Sequence, residues 1–199
     1  SGYSFNRPTD ITINKTNGDI FISDGYGNSR IHHYDLEGKH IKSWGESGTQ
    51  PGQFSLPHNL CMISADELIV CDRENHRVQI FSTSGEFIKE WHVHKATAVT
   101  CDDEGKIYIA EQGPPPVQYG VKNLGHSVGI WNKEGDLLER IGSELPGEEA
   151  DQFLWPHSIS VDSKGRIFIA EVSYVEVGRT LSPPREMTSF RVWEPLSYN

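Results

Sequence analysis

Two histidines stand at matching places in a stretch of sequence that the chain contains twice. His58 lies in "GQFSLPHNL" (52–60) and His157 lies in "DQFLWPHSI" (151–159). An imidazole can bind a transition metal or transfer protons near neutral pH, so a repeated histidine is a candidate for either role. The alternative is that each histidine only caps a channel, which is the usual role of any single one.

The doubled stretch belongs to a longer repeat. A Phe-x-x-Pro frame occurs at 5–11, 54–60 and 153–159, and a weaker copy at 93–99 has Ala96 in place of proline. After each frame comes an aliphatic segment that ends in an acid: "DIFISD" (19–24), "ELIVCD" (67–72), "KIYIAE" (106–111) and "RIFIAE" (166–171). The distance in sequence between the frame and the acid is nearly constant, although the repeats differ in length. This indicates one supersecondary unit that is repeated.

Further strands are predicted after each acid. The predicted third strands are "RIHHYD" (30–35), "RVQIFS" (77–82), "SVGIWN" (127–132) and "SFRVWE" (189–194). Glycine turns then lead into the predicted fourth strands "HIKSWG" (40–45), "FIKEWH" (87–92) and "LLERIG" (137–142). Alternating β-branched and aromatic residues around a glycine turn are typical of hairpins. Units of four strands predict an all-β fold made of β-propeller blades.

We expect four blades in a single domain, residues 1–199. Their predicted limits are about 5–45, 54–92, 93–142 and 153–194. The last blade has three predicted strands, since only "PLSYN" follows the third one. Propellers avoid exposed sheet edges by closing into a ring, so we expect these to be the later blades of a longer ring. Closure with four blades, or pairing of two chains, would be the alternatives.

Blade topology places the candidate residues on one face. Strands of a blade are antiparallel, so the start of the first strand and the end of the second share an edge near the channel. His58 and His157 lie at starts of first strands, while Tyr26 and Arg73 lie just past ends of second strands. Two long insertions, 112–126 and 172–188, extend from the same face. A concave site that gathers such groups is the default position for ligand binding.

Composition limits the partners that we consider. The net charge of −10 argues against a nucleic-acid partner, which requires a basic face. No apolar run reaches the roughly 20 residues needed to cross a membrane, and no secretion signal is visible at the start of the sequence. We therefore expect a soluble protein whose partner is a small molecule or a peptide C-terminus.

Other polar residues have simpler explanations. Arg30 and Arg77 are expected to form structural blade-to-blade pairs with Asp24 and Asp72. Seven histidines have no repeated placement and are expected at the solvated surface: His32, His33, His40, His76, His92, His94 and His126.

Several of these motifs resemble NHL repeats, and more narrowly the peptidyl-α-hydroxyglycine α-amidating lyases and their bacterial relatives. The resemblance is carried by "RPTDI", "GDIFISDGYGNSRI", "GESGTQPGQFSLPHNL" and "DRENHRVQIF". It implies a six-bladed ring that holds zinc through three histidines on alternate blades, with His58 and His157 as two of them. It also implies Tyr26 as the base or hydroxyl partner and Arg73 as the substrate-positioning residue. A structural calcium ion is a further expectation.

The resemblance also implies where this sequence departs from the family. The third histidine would belong to a blade upstream of residue 1, and Trp155 stands where the animal enzymes have methionine. The first functional hypothesis is a zinc lyase that cleaves a C–N bond to give an amide and glyoxylate, with little activity from residues 1–199 alone. The second is a non-catalytic NHL propeller that binds a protein or small ligand on the histidine face.

Overall fold

A computed structural model describes residues 4–194, and its regular structure is almost entirely antiparallel β-sheet. The strands of the first sheet pair in sequence order and are β1 (Asp10–Ile13), β2 (Ile20–Asp24), β3 (Arg30–Tyr34) and β4 (His40–Trp44). Those of the second sheet are β5 (Pro57–Met62), β6 (Glu67–Asp72), β7 (Arg77–Ser82) and β8 (Phe87–His92).

The third and fourth sheets follow the same order. The third contains β9 (Ala96–Cys101), β10 (Ile107–Glu111), β11 (His126–Trp131) and β12 (Leu137–Ser143). The fourth contains β13 (Pro156–Val161), β14 (Ile167–Glu171) and β15 (Phe190–Trp193). The prediction of an all-β fold built from four propeller-type blades is confirmed, including the three strands of the last blade. The residues after its third strand, 195–199, lie outside the described part of the chain.

Helical structure is confined to short turns. The longest helix within residues 4–194 is α1 (Ser173–Glu176), in the second long insertion. None of the helices in that described range is long and apolar enough to cross a membrane.

The chain divides into two compact units, residues 1–99 and 100–199. The boundary falls within β9. The single domain spanning 1–199 stays a prediction, and each unit is described by itself below.

The core of the first unit is an aromatic and aliphatic cluster. Its fully buried members come from the Phe-x-x-Pro turn as well as from the strands: Phe21, Ile31, Phe54, Leu60, Leu68, Val70 and Phe81. Phe54 packs 5.6 Å from Phe81, ring centre to ring centre. Phe54, the phenylalanine of the second frame, is therefore a core residue that fixes the turn to the blade.

The turn that follows this phenylalanine has an unusual backbone. Arg7, Leu56 and Lys95 hold the same position in three successive repeats, and their φ angles are 61°, 68° and 43°. Positive φ in residues other than glycine is uncommon. The shared conformation shows that 93–99, the weaker copy of the frame, is a true structural repeat.

The acid at the end of the second strand closes this turn. The Ser55 amide donates to Asp72 Oδ1 over 2.7 Å, and the Asn6 amide lies 3.1 Å from both oxygens of Asp24. In the last repeat the amides of Leu154 and Trp155 both donate to Glu171. The nearly constant offset between frame and acid therefore has a structural cause.

Arginines neutralise the buried acids Asp72, Glu111 and Glu171. Arg77 Nε donates to Asp72 over 2.8 Å, so the predicted pair is present, but both residues lie in the second sheet. The blade-to-blade geometry expected for it is therefore wrong, because the two strands are neighbours in one blade. Arg30 lies directly opposite Asp24 in the β2–β3 register, again within a single sheet.

The prediction that seven histidines lie at the solvated surface is wrong for His32, His33 and His126, which are buried. Each one satisfies a polar partner in the interior. His32 bonds to Asp24, His33 bonds to Asp19 over 2.8 Å, and His126 accepts a backbone hydrogen bond from Gly113 over 3.0 Å.

Replacement of Phe54 by alanine should lower the free energy of unfolding by about 3–5 kcal/mol, because it leaves a cavity in the core. Ile41, which is 49% exposed on β4 of the same unit, is the control. Ile41→Ala should cost about 1 kcal/mol or less. Chemical denaturation followed by tryptophan fluorescence measures both. Equal losses would contradict a core role for the repeated phenylalanine.

Candidate functional site

His58 and His157 occupy the same irregular position in their strands. The β5–β6 register shifts between Pro57 and Asn59, and the β13–β14 register shifts between Pro156 and Ser158. Each histidine is thus the extra residue of a β-bulge, which redirects a side chain out of the regular alternation. The doubled sequence is a doubled local structure.

The His58 imidazole is buried and hydrogen-bonded through both nitrogens. Its Nδ1 lies 2.6 Å from the carbonyl oxygen of Thr97, and its Nε2 lies 3.1 Å from the hydroxyl of Tyr26. A carbonyl can only accept, so Nδ1 carries the proton and Nε2 accepts from the phenol. A backbone carbonyl on one nitrogen is how proteins fix the tautomer of metal-binding histidines.

Tyr26 reaches His58 because the chain between Asp24 and Tyr26 passes very close to β5. A Cβ atom on Gly25 would come within 2.1 Å of the Pro57 carbonyl oxygen, so that position requires glycine. The Tyr26 ring meets the His58 ring edge-on, with centres 5.6 Å apart. Arg7 Nη2 donates to the Tyr26 carbonyl over 3.1 Å and helps to hold the loop.

Arg73 begins the 3-10 turn Arg73–Asn75 that follows β6. Its amide donates to the Leu56 carbonyl over 3.2 Å, which ties this turn to the left-handed residue of the frame. The guanidinium carbon lies 5.8 Å from the centre of the Tyr26 ring. Tyr26, His58 and Arg73, which the sequence predicted to share one face, form one cluster in the first unit.

Glu74 orients the arginine. Arg73 Nε donates to Glu74 Oε1 over 2.8 Å, and Lys95 Nζ lies 3.7 Å from Glu74 Oε2. Burial raises the pKa of Glu74, but the hydrogen bond and charge of Arg73, with Lys95, hold that pKa below its usual value of 4.5. Glu74 therefore stabilises the fold above pH 4.5 and loses that contribution as the pH falls.

The Tyr26 loop also lines a shallow pocket of about 360 Å³, formed by residues 25–30 with Glu46 and Ser47. A cavity of about 630 Å³ lies in the second unit, beside Tyr108, Leu138 and Trp193. It is larger, but the candidate catalytic residues do not line it, so volume is a poor guide to the chemistry here.

His157 lies in the second unit and is partly buried. Its turn meets the first long insertion: the centre of the Trp155 ring lies 5.1 Å from that of His126, and the centre of the Tyr119 ring lies 6.2 Å from that of His126. Burial raises the pKa of Tyr119. The insertion thus brings aromatic side chains next to the turn that carries the second histidine.

The sequence reasoning missed a polar link between first strands. Asn59 Nδ2 donates to Asp10 Oδ2 over 2.6 Å, and the Val99 amide donates to Asn59 Oδ1 over 2.7 Å. Burial raises the pKa of Asp10, although amide hydrogen bonds oppose this. The signal was available, since a small polar residue follows the histidine in both copies of the motif.

Residues 4–194 contain no group of three histidine, cysteine, aspartate or glutamate side chains arranged to hold a metal ion. The four repeated acids are buried within their sheets. Zinc ligation and a structural calcium ion are therefore matters for proposal.

Comparison with protein families now bears on this site. The NHL repeat model matches residues 5–34 and 54–81, which contain Tyr26, His58 and Arg73. The chain contains NHL repeats. The matched segments lie within the first two blades, without the insertions of the later repeats.

Curated relatives of this chain include amidating enzymes. The peptidylglycine alpha-amidating monooxygenase of Rattus norvegicus is 46% identical over 84% of the chain and 17% of its own length. Peptidyl-alpha-hydroxyglycine alpha-amidating lyase 1 of Drosophila melanogaster is 31% identical over 95% of the chain and 38% of its own length. NHL repeat-containing protein 3 of Homo sapiens is 30% identical over 87% and 49%. The chain thus spans half or less of these relatives.

Solved structures share the fold. The WD40 repeats of RRP9 cover 98% of the chain with a TM-score of 0.63 at 16% identity, and the match covers 52% of that structure. Virginiamycin B lyase from Staphylococcus aureus covers 82% with a TM-score of 0.57 at 17% identity, and the match covers 48% of it. At these identities the likeness concerns the fold alone.

Replacement of Arg73 by glutamine should raise the pKa of Glu74, because it removes the charge that most strongly favours the carboxylate. Lys95→Gln is the matched control and should raise that pKa less, since its ammonium is farther from the carboxylate. Carboxyl-carbon NMR titration of Glu74 measures both. An equal or larger effect of Lys95→Gln would mean that Glu74 does not orient Arg73.

Proposed function

We propose that the chain is part of a zinc-dependent lyase that converts a peptidyl-α-hydroxyglycine, or a similar N-acyl hemiaminal, into an amide and glyoxylate. The observation that carries this proposal is the contact between His58 Nε2 and the Tyr26 hydroxyl. The contact joins a histidine of fixed tautomer to a phenol, with a guanidinium beside the phenol. The similarity to amidating lyases supports the choice of reaction.

The family resemblance makes His58 and His157 each a proposed zinc ligand. Each side chain by itself suits zinc, because it is an imidazole on an equivalent bulge, and the Thr97 carbonyl leaves the His58 Nε2 lone pair as the donor. The resemblance also implies a third histidine as a ligand. Bound zinc would polarise the substrate hydroxyl and lower its pKa.

Tyr26 is the proposed proton acceptor. Its hydroxyl now donates to His58 Nε2, and ligation through that nitrogen would release the phenol to face the substrate. The phenol oxygen would accept the proton of the substrate hydroxyl while the phenol passes its own proton to the departing nitrogen, and the C–N electron pair leaves with that nitrogen. The products are the amide and the aldehyde of glyoxylate, with no change of oxidation state.

Arg73 is proposed to hold the substrate carboxylate. Glu74 accepts from Nε, which turns the guanidinium in a defined direction. A guanidinium can bind a carboxylate through two parallel hydrogen bonds, and lysine cannot reproduce this geometry. Arg73→Lys should therefore raise KM for substrates with a free carboxylate.

The second candidate function is ligand or protein binding without catalysis. It is favoured by the similarity to human NHL repeat-containing protein 3, whose name states no activity. In that case the Tyr26 and His58 contact would serve the packing of the first two blades.

The deciding experiment measures zinc content and glyoxylate release from an α-hydroxyhippurate-like substrate. The protein should contain these repeats together with the blade that supplies the third histidine. His58→Ala should reduce bound zinc and lower turnover by about 100-fold or more. Tyr26→Phe should lower turnover by about 100-fold or more but retain zinc, because it removes only the proton acceptor.

His92→Ala is the matched control, since His92 is an exposed histidine of the same unit. It should leave zinc content and turnover unchanged. Unchanged turnover in His58→Ala would reject the lyase site, and the absence of glyoxylate from the unsubstituted protein would favour the binding function.

A further inference from the structure

The first repeat holds its buried acid differently from the others. Arginine neutralises the acid in the second, third and fourth repeats through the pairs Arg77–Asp72, Arg140–Glu111 and Arg191–Glu171. In the first repeat His32 bonds to Asp24, at the strand position that Gln79 holds in the second. In the first repeat, therefore, the acid that lies opposite Arg30 is also bonded to a histidine, a type of residue that ordinarily titrates near neutral pH.

His32 is fully buried within a chain of hydrogen bonds. Its Nε2 lies 3.2 Å from Asp24 Oδ2, and its Nδ1 lies 2.7 Å from Ser43 Oγ, which is also 2.8 Å from His40 Nε2. The carboxylate can only accept, so Nε2 carries the proton and Nδ1 accepts from the Ser43 hydroxyl. This arrangement suits a neutral His32, because a second proton on Nδ1 would require the Ser43 hydroxyl to rotate and accept instead of donate.

Asp24 in turn fixes the loop that presents Tyr26. Its Oδ2 accepts from Asn28 Nδ2 over 2.6 Å, and both oxygens lie 3.1 Å from the Asn6 amide. Asn6 Nδ2 also donates to the Gly27 carbonyl over 3.2 Å. A change in the bonding of Asp24 therefore reaches the Tyr26 loop directly at Asn28 and, through Asn6, at Gly27.

We propose that His32 is a positioning residue for Tyr26, and that its protonation loosens the Tyr26 loop through Asp24. The effect on turnover rests on the proposed lyase function, whereas the effect on the loop does not.

The charges around His32 give the direction of the effect. Burial lowers the pKa of His32, Asp24 on β2 raises it, and His40 on β4 and Arg30 on β3 lower it. Phe5 covers the ring edge-on at 5.0 Å. The pKa of His32 is lower in the folded form than in the unfolded form, where it is near 6.5, so the unfolded form binds the proton at a higher pH. The stability that neutral His32 contributes above pH 6.5 is therefore lost as the pH falls through its pKa in the folded form.

The test is hydrogen exchange of the peptide that covers residues 25–28, measured by mass spectrometry from pH 7.5 to 5 and corrected for intrinsic rates. Loop opening that exposes His32 should become up to about tenfold more frequent for each pH unit below 6.5, until the folded pKa is reached. His32→Gln should abolish this dependence. An amide is compatible with the position, because Gln79 Nε2 bonds to Asp72 over 3.1 Å.

His33→Gln is the matched control, since His33 is the next residue on β3 and bonds to Asp19 instead. It should retain the acid dependence. An acid dependence that persists in His32→Gln, or none in the unsubstituted protein, would overturn the proposal. If His32→Gln does not fold, NMR titration of the unsubstituted protein decides, and a His32 pKa of 6.5 or above overturns it.

The pH profile of glyoxylate release separates the two proposals. If the exchange of residues 25–28 shows the expected acid dependence but no glyoxylate is released, the role of His32 is supported and the lyase function is rejected. Turnover whose acid limb does not move in His32→Gln, with unchanged loop exchange, rejects the role of His32 and leaves the lyase function intact.

Discussion

The hydrogen bond from a backbone amide of the Phe-x-x-Pro turn to the buried acid at the end of the second strand organises this chain. It joins the start of the first strand to the end of the second, which are about 15 residues apart in sequence. In the second repeat it links Ser55 to Asp72, and in the first it links Asn6 to Asp24. A buried carboxylate needs such donors together with a cation or further hydrogen bonds. The arginines and the His32 network supply them, so the first, second and fourth repeats each contain a closed polar centre at the same edge.

The candidate site is a consequence of that centre. His58 follows Ser55 by three residues and Arg73 follows Asp72 directly, so the closure of the turn brings both side chains to one edge. The neighbouring repeat adds Tyr26 by the same geometry, and Gly25 allows the close approach. The closed turns of two neighbouring repeats thus bring a phenol, an imidazole and a guanidinium together. The chemistry of the cluster depends on polar contacts that also stabilise the blades.

The strands and the repeated acids were predictable because alternation and a nearly constant offset are written directly in the sequence. The contact of Tyr26 with His58 followed in outline from antiparallel topology. The left-handed backbone at Leu56 was not predictable, because leucine there gives no local sign of positive φ. Nor was the burial of His32 and His126, since each depends on a partner that only the fold brings near. The spacing of histidines can be read from the sequence, but whether a histidine such as His32 is buried depends on the hydrogen-bond partners that the fold brings to it.

We propose that His58 Nε2 binds zinc, and that zinc then replaces its partner in this structure, the Tyr26 hydroxyl. The direct test is anomalous diffraction at the zinc edge, with crystals that are grown in the presence of zinc from the protein with all of its blades. We expect an anomalous peak about 2.1 Å from His58 Nε2, with the Tyr26 hydroxyl no longer bonded to that nitrogen. Zinc bound elsewhere, with the contact between Tyr26 and His58 intact, would contradict the claim.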